Sequence, residues 1–246
     1  MSTESQKTSV PLFVEIIGEA AVGKTHLACL FPKPAVVDTT KTRESYAVMR
    51  KLLTDWKERY FPVTTLEEIR NVLKKIEEKK TMFRTVVIDT SADLRDMGST
   101  EYLKEKSNAS KERVALMPLE YKWVNERIDE ISHNIRVKMT MNLVHLAQMK
   151  DEYTGKGNSS EKTGKRIRKG YPNANAQADV RLLLKIEQEV DAKTMRYTEK
   201  LKRTCVVVKN RFKDQVAPEW VATLEPINWS ALITKLTDLK EGEIVE

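Results

Sequence analysis

Apolar runs alternate along this chain with segments whose apolar residues recur every three or four positions. The strand-like runs are LFVEII, PAVVD, TVVID, MNLVHLA, VRLLLKI and TCVVVKN. Between PAVVD and TVVID, the segments RESYAVMRKLLTDWKERY and TTLEEIRNVLKKIEEKK have helical period, and Thr65 and Glu68 fit a capping box at the start of the second. The alternation predicts an α/β fold with a largely parallel sheet flanked by helices.

The later part of the chain predicts helices first and then a C-terminal antiparallel strand extension. ADLRDMGSTEYLKEK and PLEYKWVNERIDEISHNI have helical period, RLLLKIEQEV, AKTMRYTEK and TCVVVKNRF read as antiparallel strands, and WSALITKLTDL as a closing helix. No glycine- or serine-rich linker divides the 246 residues. We expect one domain over 1–246, with a flexible tail over 1–10 and a long basic loop over 151–178.

The first strand-like run leads directly into GEAAVGKT, which fits the spacing G-x-x-x-x-G-K-[ST]. In this motif backbone N–H groups surround phosphate oxygens, the lysine neutralises charge and the hydroxyl binds Mg²⁺. The alternative is an ordinary glycine turn, but the strand–loop–helix context favours a phosphate loop. The predicted nucleotide-binding residues are Gly18, Glu19, Ala20, Ala21, Val22, Gly23, Lys24, Thr25 and His26.

Two later strand ends carry polar residues suited to the same site. Asp89 ends TVVID and is predicted to hold Mg²⁺ with Thr25, although Asp89 and the residues after it could instead begin a helix. Gln148 follows MNLVHLA, where a glutamine can orient water or sense a γ-phosphate. ATP and Mg²⁺ are therefore the expected ligands.

The segment after Gln148 is long, polar and basic. Basic side chains can follow a phosphodiester backbone while an aromatic ring stacks on a base, so we expect single-stranded DNA binding here. The alternative is a charged loop without a ligand. The candidate DNA-binding residues are Lys162, Lys165, Arg166, Arg168, Lys169 and Tyr171.

Composition narrows the class of protein. The formal charge of +7 suits a polyanionic partner but is also compatible with a solvated basic surface. The two cysteines, Cys29 and Cys205, are far apart in apolar surroundings, and the three histidines lack ligand spacing, which disfavours a disulfide or zinc site. Without a signal peptide or a long apolar window, we expect a cytoplasmic protein with no membrane partner.

The order of these parts resembles the core of RecA-type recombinases. GEAAVGKTHLA resembles the family's phosphate loop, TVVIDTSADL its metal-binding strand, LAQMK its glutamine switch, and the polar segment before ADVRLLLK its second DNA-binding loop. VVVKNRF resembles the strand that carries basic residues into a neighbouring subunit's site. The resemblance implies a RecA-like P-loop NTPase core and a homo-oligomeric ring or filament with nucleotide at the subunit interfaces.

The resemblance also assigns individual residues. Lys209 and Arg211 would stabilise γ-phosphate charge in trans as an arginine finger does, although the alternative is an exposed strand end. Tyr46 in SYAVMRKL would stack on adenine. The family's catalytic glutamate position holds Thr40, and threonine is not a general base at neutral pH, so hydrolysis is expected to be slow or DNA-dependent. Glu44 lies one turn further on and could replace the missing glutamate only if the loop brings it near the site.

Three functions remain open from the sequence. The preferred one is a Mg²⁺-dependent, DNA-stimulated ATPase that supports annealing or recombination, with replication or recombination proteins as partners. It resembles in size the short RecA-like ATPases of phages and mobile elements, some of which anneal single strands. The second is a nucleotide-switched DNA-binding or loader module, which Thr40 favours. The third is a small-molecule kinase, against which the basic segment and the LAQMK strand both count.

Overall fold

The computed structural model describes residues 11–107, 115–154, 161–169, 171–190 and 197–211. Its strands are β1 (Phe13–Gly18), β2 (Pro34–Asp38), β3 (Tyr60–Pro62), β4 (Thr85–Asp89), β5 (Asn142–Thr154), β6 (Glu161–Lys169), β7 (Val180–Val190) and β8 (Tyr197–Asn210). Its α-helices are α1 (Lys24–Cys29), α2 (Ser45–Leu52), α3 (Trp56–Arg59), α4 (Leu66–Glu78), α5 (Ser91–Ser107), α6 (Tyr121–His133) and α7 (Ala174–Gln177). A π-helical turn, Asn134–Lys138, continues α6.

The strands form one eight-stranded sheet in the order β3-β2-β4-β5-β1-β7-β8, with β6 paired to β5. All pairs are parallel except β5–β6 and β7–β8, which are antiparallel. The prediction of a mostly parallel sheet flanked by helices, with a C-terminal antiparallel extension, is confirmed. Because the central strands are parallel, Gly18, Asp38, Asp89 and Gln148 all lie at the carboxyl edge of the sheet.

The helices pack on both faces of this sheet. One core cluster joins β1, β2, β4 and β5 to α1 and α2 through residues such as Val14, Leu27 and Met49. The other joins the opposite face of the same strands to α4, α5 and α6. Thr65 caps α4 as predicted, since its hydroxyl accepts from the Glu68 N–H at 3.1 Å, while the Glu68 carboxylate accepts from Thr64. No helix in the described ranges is long and apolar enough to cross a membrane.

The structure differs from the sequence-based expectation in three places. RESYAVMRKLLTDWKERY forms two helices rather than one, because Leu53 takes an extended conformation after α2. The end of AKTMRYTEK and most of TCVVVKNRF form the single strand β8, Tyr197–Asn210, which is paired with β7 with two register shifts. Residues 191–196 and Phe212 lie outside the described residues. The expected loop over 151–178 contains the end of β5, all of β6, and α7. The tail over 1–10 and WSALITKLTDL lie outside the described residues.

An unusual group of polar residues is buried on the face of the sheet that packs against α6. Glu15 is fully buried on β1 and accepts from the guanidinium groups of Arg168 and Arg181, the latter at 2.9 Å. His145 is also fully buried, with its ring 4.9 Å from that of Phe13. Neither imidazole nitrogen has a hydrogen-bond partner among the described residues. Burial, followed by the nearby Arg168 charge, lowers the pKa of His145 to about 3.

Replacing His145 by leucine should make the protein relatively more resistant to acid. In the unfolded chain His145 takes up a proton below the ordinary histidine pKa of about 6.5, whereas in the folded chain it does so only near 3. The free energy of unfolding of the wild type therefore decreases as the pH is lowered from about 6.5 towards 3. Between pH 7.5 and pH 5 the wild type should lose about 2 kcal/mol more free energy of unfolding than His145→Leu. Urea titrations at both pH values, with exposed His133→Gln as control, measure the difference; equal losses would contradict it.

Candidate nucleotide-binding site

The loop between β1 and α1 requires glycine at two positions. Gly23 has φ +102°, in the left-handed region that disfavours side chains. A Cβ at Gly18 would lie 2.8 Å from both the Leu184 carbonyl oxygen and Val22 Cγ2, so packing also demands glycine there. Lys24 follows as the first residue of α1. The structure therefore brings the predicted nucleotide-binding residues, Gly18 to His26, into one strand–loop–helix unit.

Lys24 lies inside this loop. Its ammonium group donates to the carbonyl oxygens of Gly18 at 3.2 Å and Glu19 at 2.5 Å. Burial lowers the pKa of Lys24, while the charges of Asp89, Glu19 and Glu44 oppose that shift. The ammonium group is thus held by backbone carbonyl oxygens at the start of the loop.

The predicted metal pair is assembled. Asp89 Oδ2 accepts from the Thr25 hydroxyl at 2.8 Å and from the Ser45 hydroxyl at 2.9 Å. Burial raises the pKa of Asp89 to about 6, and the two hydroxyl bonds partly offset the rise. A hydroxyl and a carboxylate suit Mg²⁺, which is usually held by one or two protein oxygens plus substrate phosphates. No cluster of three or more His, Cys, Asp or Glu able to hold a metal occurs among the described residues.

Ser45 is a site residue that the sequence analysis missed. It starts α2 and is buried, and it contacts the same carboxylate oxygen as Thr25. No motif marks a serine at this position, which residues 39–44 separate from the end of β2. Tyr46 comes next in the chain and is 39% exposed. Its ring packs edge-to-face on Trp56 at 4.9 Å and on Tyr60 at 5.8 Å, so it lies near the site with an accessible surface.

A second polar group lies at the end of β2. Asp38 is fully buried, and its Oδ1 accepts from both the backbone N–H of Thr40 at 2.9 Å and the Thr40 hydroxyl at 2.6 Å. Its Oδ2 accepts from the Tyr60 hydroxyl at 2.7 Å. The neighbouring Thr39 N–H donates to the Asp89 carbonyl oxygen at 2.7 Å, which ties the end of β2 to the metal pair.

A cavity of about 870 Å³ adjoins these groups at the carboxyl edge of the sheet. Thr40 and Gln148 both line it, whereas no residue of the phosphate loop does. Carboxylates outnumber cations on its wall, so it does not favour a nucleic-acid backbone. The charged lining residues are Lys41, Glu44, Glu67, Arg70, Asp93, Asp96, Glu101, Lys104 and Glu105.

The predicted DNA-binding residues are divided between two environments. Lys162 and Arg166 are exposed but pair with Asp151 at 2.8 and 3.3 Å, and Arg166 also pairs with Glu19 of the phosphate loop at 2.6 Å. Lys165 and Lys169 are exposed and have no ion pair among the described residues. These basic residues of 161–169 thus belong to a strand rather than a loop. Lys162 and Arg166 lie on its ion-paired face, whereas Lys165 and Lys169 lie on the other face.

Two members of that set require correction. Arg168 is largely buried against Glu15, and it also donates to the Tyr171 carbonyl oxygen at 2.5 Å. Tyr171 is fully buried, with its hydroxyl bonded to Asp129. A ring without exposed surface is not available to stack on a base, so the role expected for Tyr171 is not supported. Instead, Tyr153 on β5 is 55% exposed, and the sequence analysis did not single it out.

Lys209 and Arg211 lie at the opposite edge of the sheet from the phosphate loop. The Arg211 N–H donates to the Asp179 carbonyl, and the Asp179 N–H donates to the carbonyl of Phe13, the first residue of β1. Since β1 extends from Phe13 to Gly18, about 16 Å separates the two edges. Arg211 also contacts the Asp179 carboxylate at 3.4 Å, and Lys209 donates to the Ala176 carbonyl at 3.0 Å. Neither residue can act on the nucleotide loop of its own chain.

Two solved structures resemble this chain. The KaiC-like protein PH0186 from the hyperthermophilic archaeon Pyrococcus horikoshii OT3 is 14% identical with a TM-score of 0.47, over 83% of this chain and 88% of that one. The RadB recombinase is 16% identical with a TM-score of 0.46, over 85% of this chain and 86% of that one. No curated protein matches the chain.

A family of proteins with an AAA domain (AAA_24) matches residues 11–212, a range that includes all of the strands from β1 to β8. The match therefore covers the sheet and the phosphate loop described above. The chain belongs to the AAA domain family AAA_24.

Proposed function

We propose that this protein is a Mg²⁺-dependent, RecA-like ATPase that binds single-stranded DNA and supports annealing or recombination. The observation that carries the proposal is the meeting of Lys24, the Thr25–Asp89 pair and Gln148 at one edge of the sheet. Bound between Thr25, Asp89 and the phosphates, Mg²⁺ would neutralise charge that develops on the γ-phosphate. The proposed role in annealing rests on the resemblance in size to the short RecA-like ATPases of phages and mobile elements, some of which anneal single strands.

The proposed DNA contact is one face of the hairpin formed by β5 and β6. Lys165, Ile167 and Lys169 alternate with Arg166 and Arg168 and so share the opposite face of β6. Directly paired residues of antiparallel strands share a face, which adds Lys150, opposite Ile167, and Gln148, opposite Lys169. We call Lys150, Lys165, Ile167 and Lys169 the hairpin face. All four are exposed, and their cations can contact phosphates without first breaking an ion pair within the described residues.

The hairpin also offers a route between the proposed DNA and nucleotide sites. Gln148 pairs with Gly18 at the start of the phosphate loop and with Lys169 of the hairpin. Arg166 joins the hairpin to Glu19 of the same loop. DNA on the hairpin face would therefore act on strand β5, which carries Gln148 next to the start of the phosphate loop, and this arrangement supports DNA-stimulated turnover. The exposed Tyr153 is paired with Lys162 and therefore lies on the opposite face of the hairpin, so no aromatic ring is assigned to base stacking.

A nucleotide-switched DNA-binding or loader module is the second candidate function. It is favoured by one observation: Thr40, not an acidic residue, is the second residue after β2 and lines the cavity. Such a protein would bind ATP and DNA but turn over little ATP. Lys209 and Arg211 are compatible with either function, because both lie where only a neighbouring subunit's nucleotide could reach them.

Replacing Lys165 and Lys169 together by alanine should weaken single-stranded DNA binding and flatten its salt dependence. Each lost phosphate contact lowers the slope of log K against log salt by about 0.7, so two should lower it by about 1.4. Fluorescence anisotropy of a labelled oligonucleotide across a salt series measures both quantities.

The matched control replaces Lys79 and Lys80 by alanine. Both residues are exposed and follow the end of α4, before the start of β4. It makes the same change in net charge and should leave the slope unaltered. An unchanged slope in Lys165→Ala/Lys169→Ala would remove the hairpin face from the DNA site.

A mixture of two inactive variants should regain activity if Arg211 acts in trans. Lys24→Ala has a disabled phosphate loop but supplies Arg211, whereas Arg211→Ala has an intact loop but no finger. In an equimolar mixed ring or filament, about a quarter of the interfaces pair the intact loop with the intact finger. ATP hydrolysis of the mixture should therefore approach about a quarter of the wild-type rate.

Arg136→Ala controls for the ion pair lost with Arg211, because Arg136 contacts the same Asp179 carboxylate at 3.0 Å. It should retain turnover. If Arg211→Ala alone hydrolyses ATP at the wild-type rate, or if the mixture regains nothing, the trans role is wrong.

A further inference from the structure

The phosphate loop carries a negative charge of its own. Glu19 is the second residue of GEAAVGKT, a motif whose backbone binds anions. Burial lowers the pKa of Lys24, and the charge of Glu19 is among those that oppose this shift. A carboxylate close enough to act on Lys24 also repels a phosphate that Lys24 contacts. The loop therefore binds phosphates better when a positive charge lies beside Glu19.

Arg166 supplies such a charge from the hairpin. Its Nη2 donates to the Glu19 carboxylate at 2.6 Å and to the Met149 carbonyl oxygen at 3.3 Å, while its Nε lies 3.3 Å from Asp151 Oδ1. Within the described part of the chain, no other cation forms an ion pair with Glu19. Because Met149 and Asp151 also hold the guanidinium, its position does not depend on Glu19 alone.

Glu19 is thus held at both ends. Its backbone carbonyl accepts from the Lys24 ammonium at 2.5 Å, and its carboxylate pairs with Arg166. The lysine that neutralises phosphate in this motif and the arginine of the hairpin therefore meet on one residue. The side chains of Arg166 and Glu19 are 44% and 47% exposed, so salt in the solvent screens their attraction.

We propose that Arg166 belongs to the nucleotide site of this chain, where it neutralises Glu19 and so strengthens the binding of nucleotide phosphates. The inference rests on the ATPase function proposed above. Arg166 is a positioning residue, since it acts through Glu19 and not on the phosphates. The hairpin completes the nucleotide site when it lies against the phosphate loop, and nucleotide binding and this placement of the hairpin favour each other by the same factor.

The same strand can hold DNA while it neutralises Glu19. Arg166 alternates along β6 with Lys165 and Ile167, so it lies on the side opposite the hairpin face. DNA on the hairpin face therefore leaves the contact between Arg166 and Glu19 in place. The hairpin is thus a regulatory element of the nucleotide site as well as the proposed DNA contact.

Two simpler roles compete with this one. In the first, Arg166 only stabilises the hairpin through Asp151, and in the second it contacts DNA. Neither role predicts a change in nucleotide affinity when DNA is absent. Neither predicts that removing the charge of Glu19 restores the affinity that the loss of Arg166 has lowered. An exposed ion pair changes an equilibrium constant by about fivefold at most, so the expected effect is modest but measurable.

The test measures the Kd for a fluorescent ATP analogue, without DNA, across a double-mutant cycle. Arg166→Gln should raise the Kd about threefold, because Glu19 is left without its counter-charge. Glu19→Gln should have a Kd no higher than the wild type, because the repulsion is removed. The double variant should return to about the wild-type Kd, so the two changes are not additive. Arg166→Lys keeps the charge and should keep most of the affinity.

Two controls separate this effect from folding and from net charge. Thermal midpoints verify that each variant is folded. Arg127→Gln removes one positive charge from an exposed ion pair on α6, where Arg127 lies 3.2 Å from Glu130, and it should leave the Kd unchanged. In about 1 M salt, where the Debye length is about 3 Å, the difference between Arg166→Gln and the wild type should disappear.

The outcomes distinguish this role of Arg166 from the function on which it rests. An unchanged Kd in Arg166→Gln, or a double variant that binds as weakly as Arg166→Gln, would overturn the role. An equal rise in Arg127→Gln, or a difference that persists in 1 M salt, would overturn it as well. In each of these cases the wild type still binds the analogue and the proposed function stands. Absence of analogue binding to the wild type would overturn the proposed function and this inference together.

Discussion

The structure depends on the carboxylate of Asp89. This buried group receives hydroxyl bonds from Thr25, in the first turn of α1, and from Ser45, at the start of α2. Burying a carboxylate costs free energy, which is visible in its raised pKa, and the two hydroxyls offset part of that cost. One oxygen atom therefore ties the first turn of α1, which follows the phosphate loop, to the helix that carries Tyr46.

Strand β5 connects this edge to the rest of the molecule. Its first half is buried between β4 and β1, and its second half extends past both strands and pairs with β6 as one arm of the hairpin. Glu15 anchors the base of that hairpin by holding Arg168 of β6 and Arg181 of β7. The same strand therefore supplies core residues, Gln148 and Lys150, the first residue of the hairpin face.

The parts that depend on local pattern were predictable from the sequence. The phosphate loop and the aspartate at the end of β4 follow from spacing and from the alternation of apolar runs, and the structure places Lys24, Thr25 and Asp89 together. Ser45 was not predictable, because its contact with Asp89 depends on how α2 packs. Tyr171 and Arg168 were assigned to DNA binding because a polar, basic segment is usually exposed to solvent. In the structure both are held inward by residues distant in sequence, since Tyr171 bonds to Asp129 and Arg168 pairs with Glu15. The two faces of β6 appear only when its register with β5 is known.

The most direct test of the account is the rate of ATP hydrolysis with and without single-stranded DNA, measured over a salt series with Lys24→Ala as the blank. The account predicts Mg²⁺-dependent turnover that DNA stimulates, that declines as rising salt releases the DNA, and that is absent from Lys24→Ala. A rate that DNA leaves unchanged at every salt concentration, or that survives in Lys24→Ala, would contradict it.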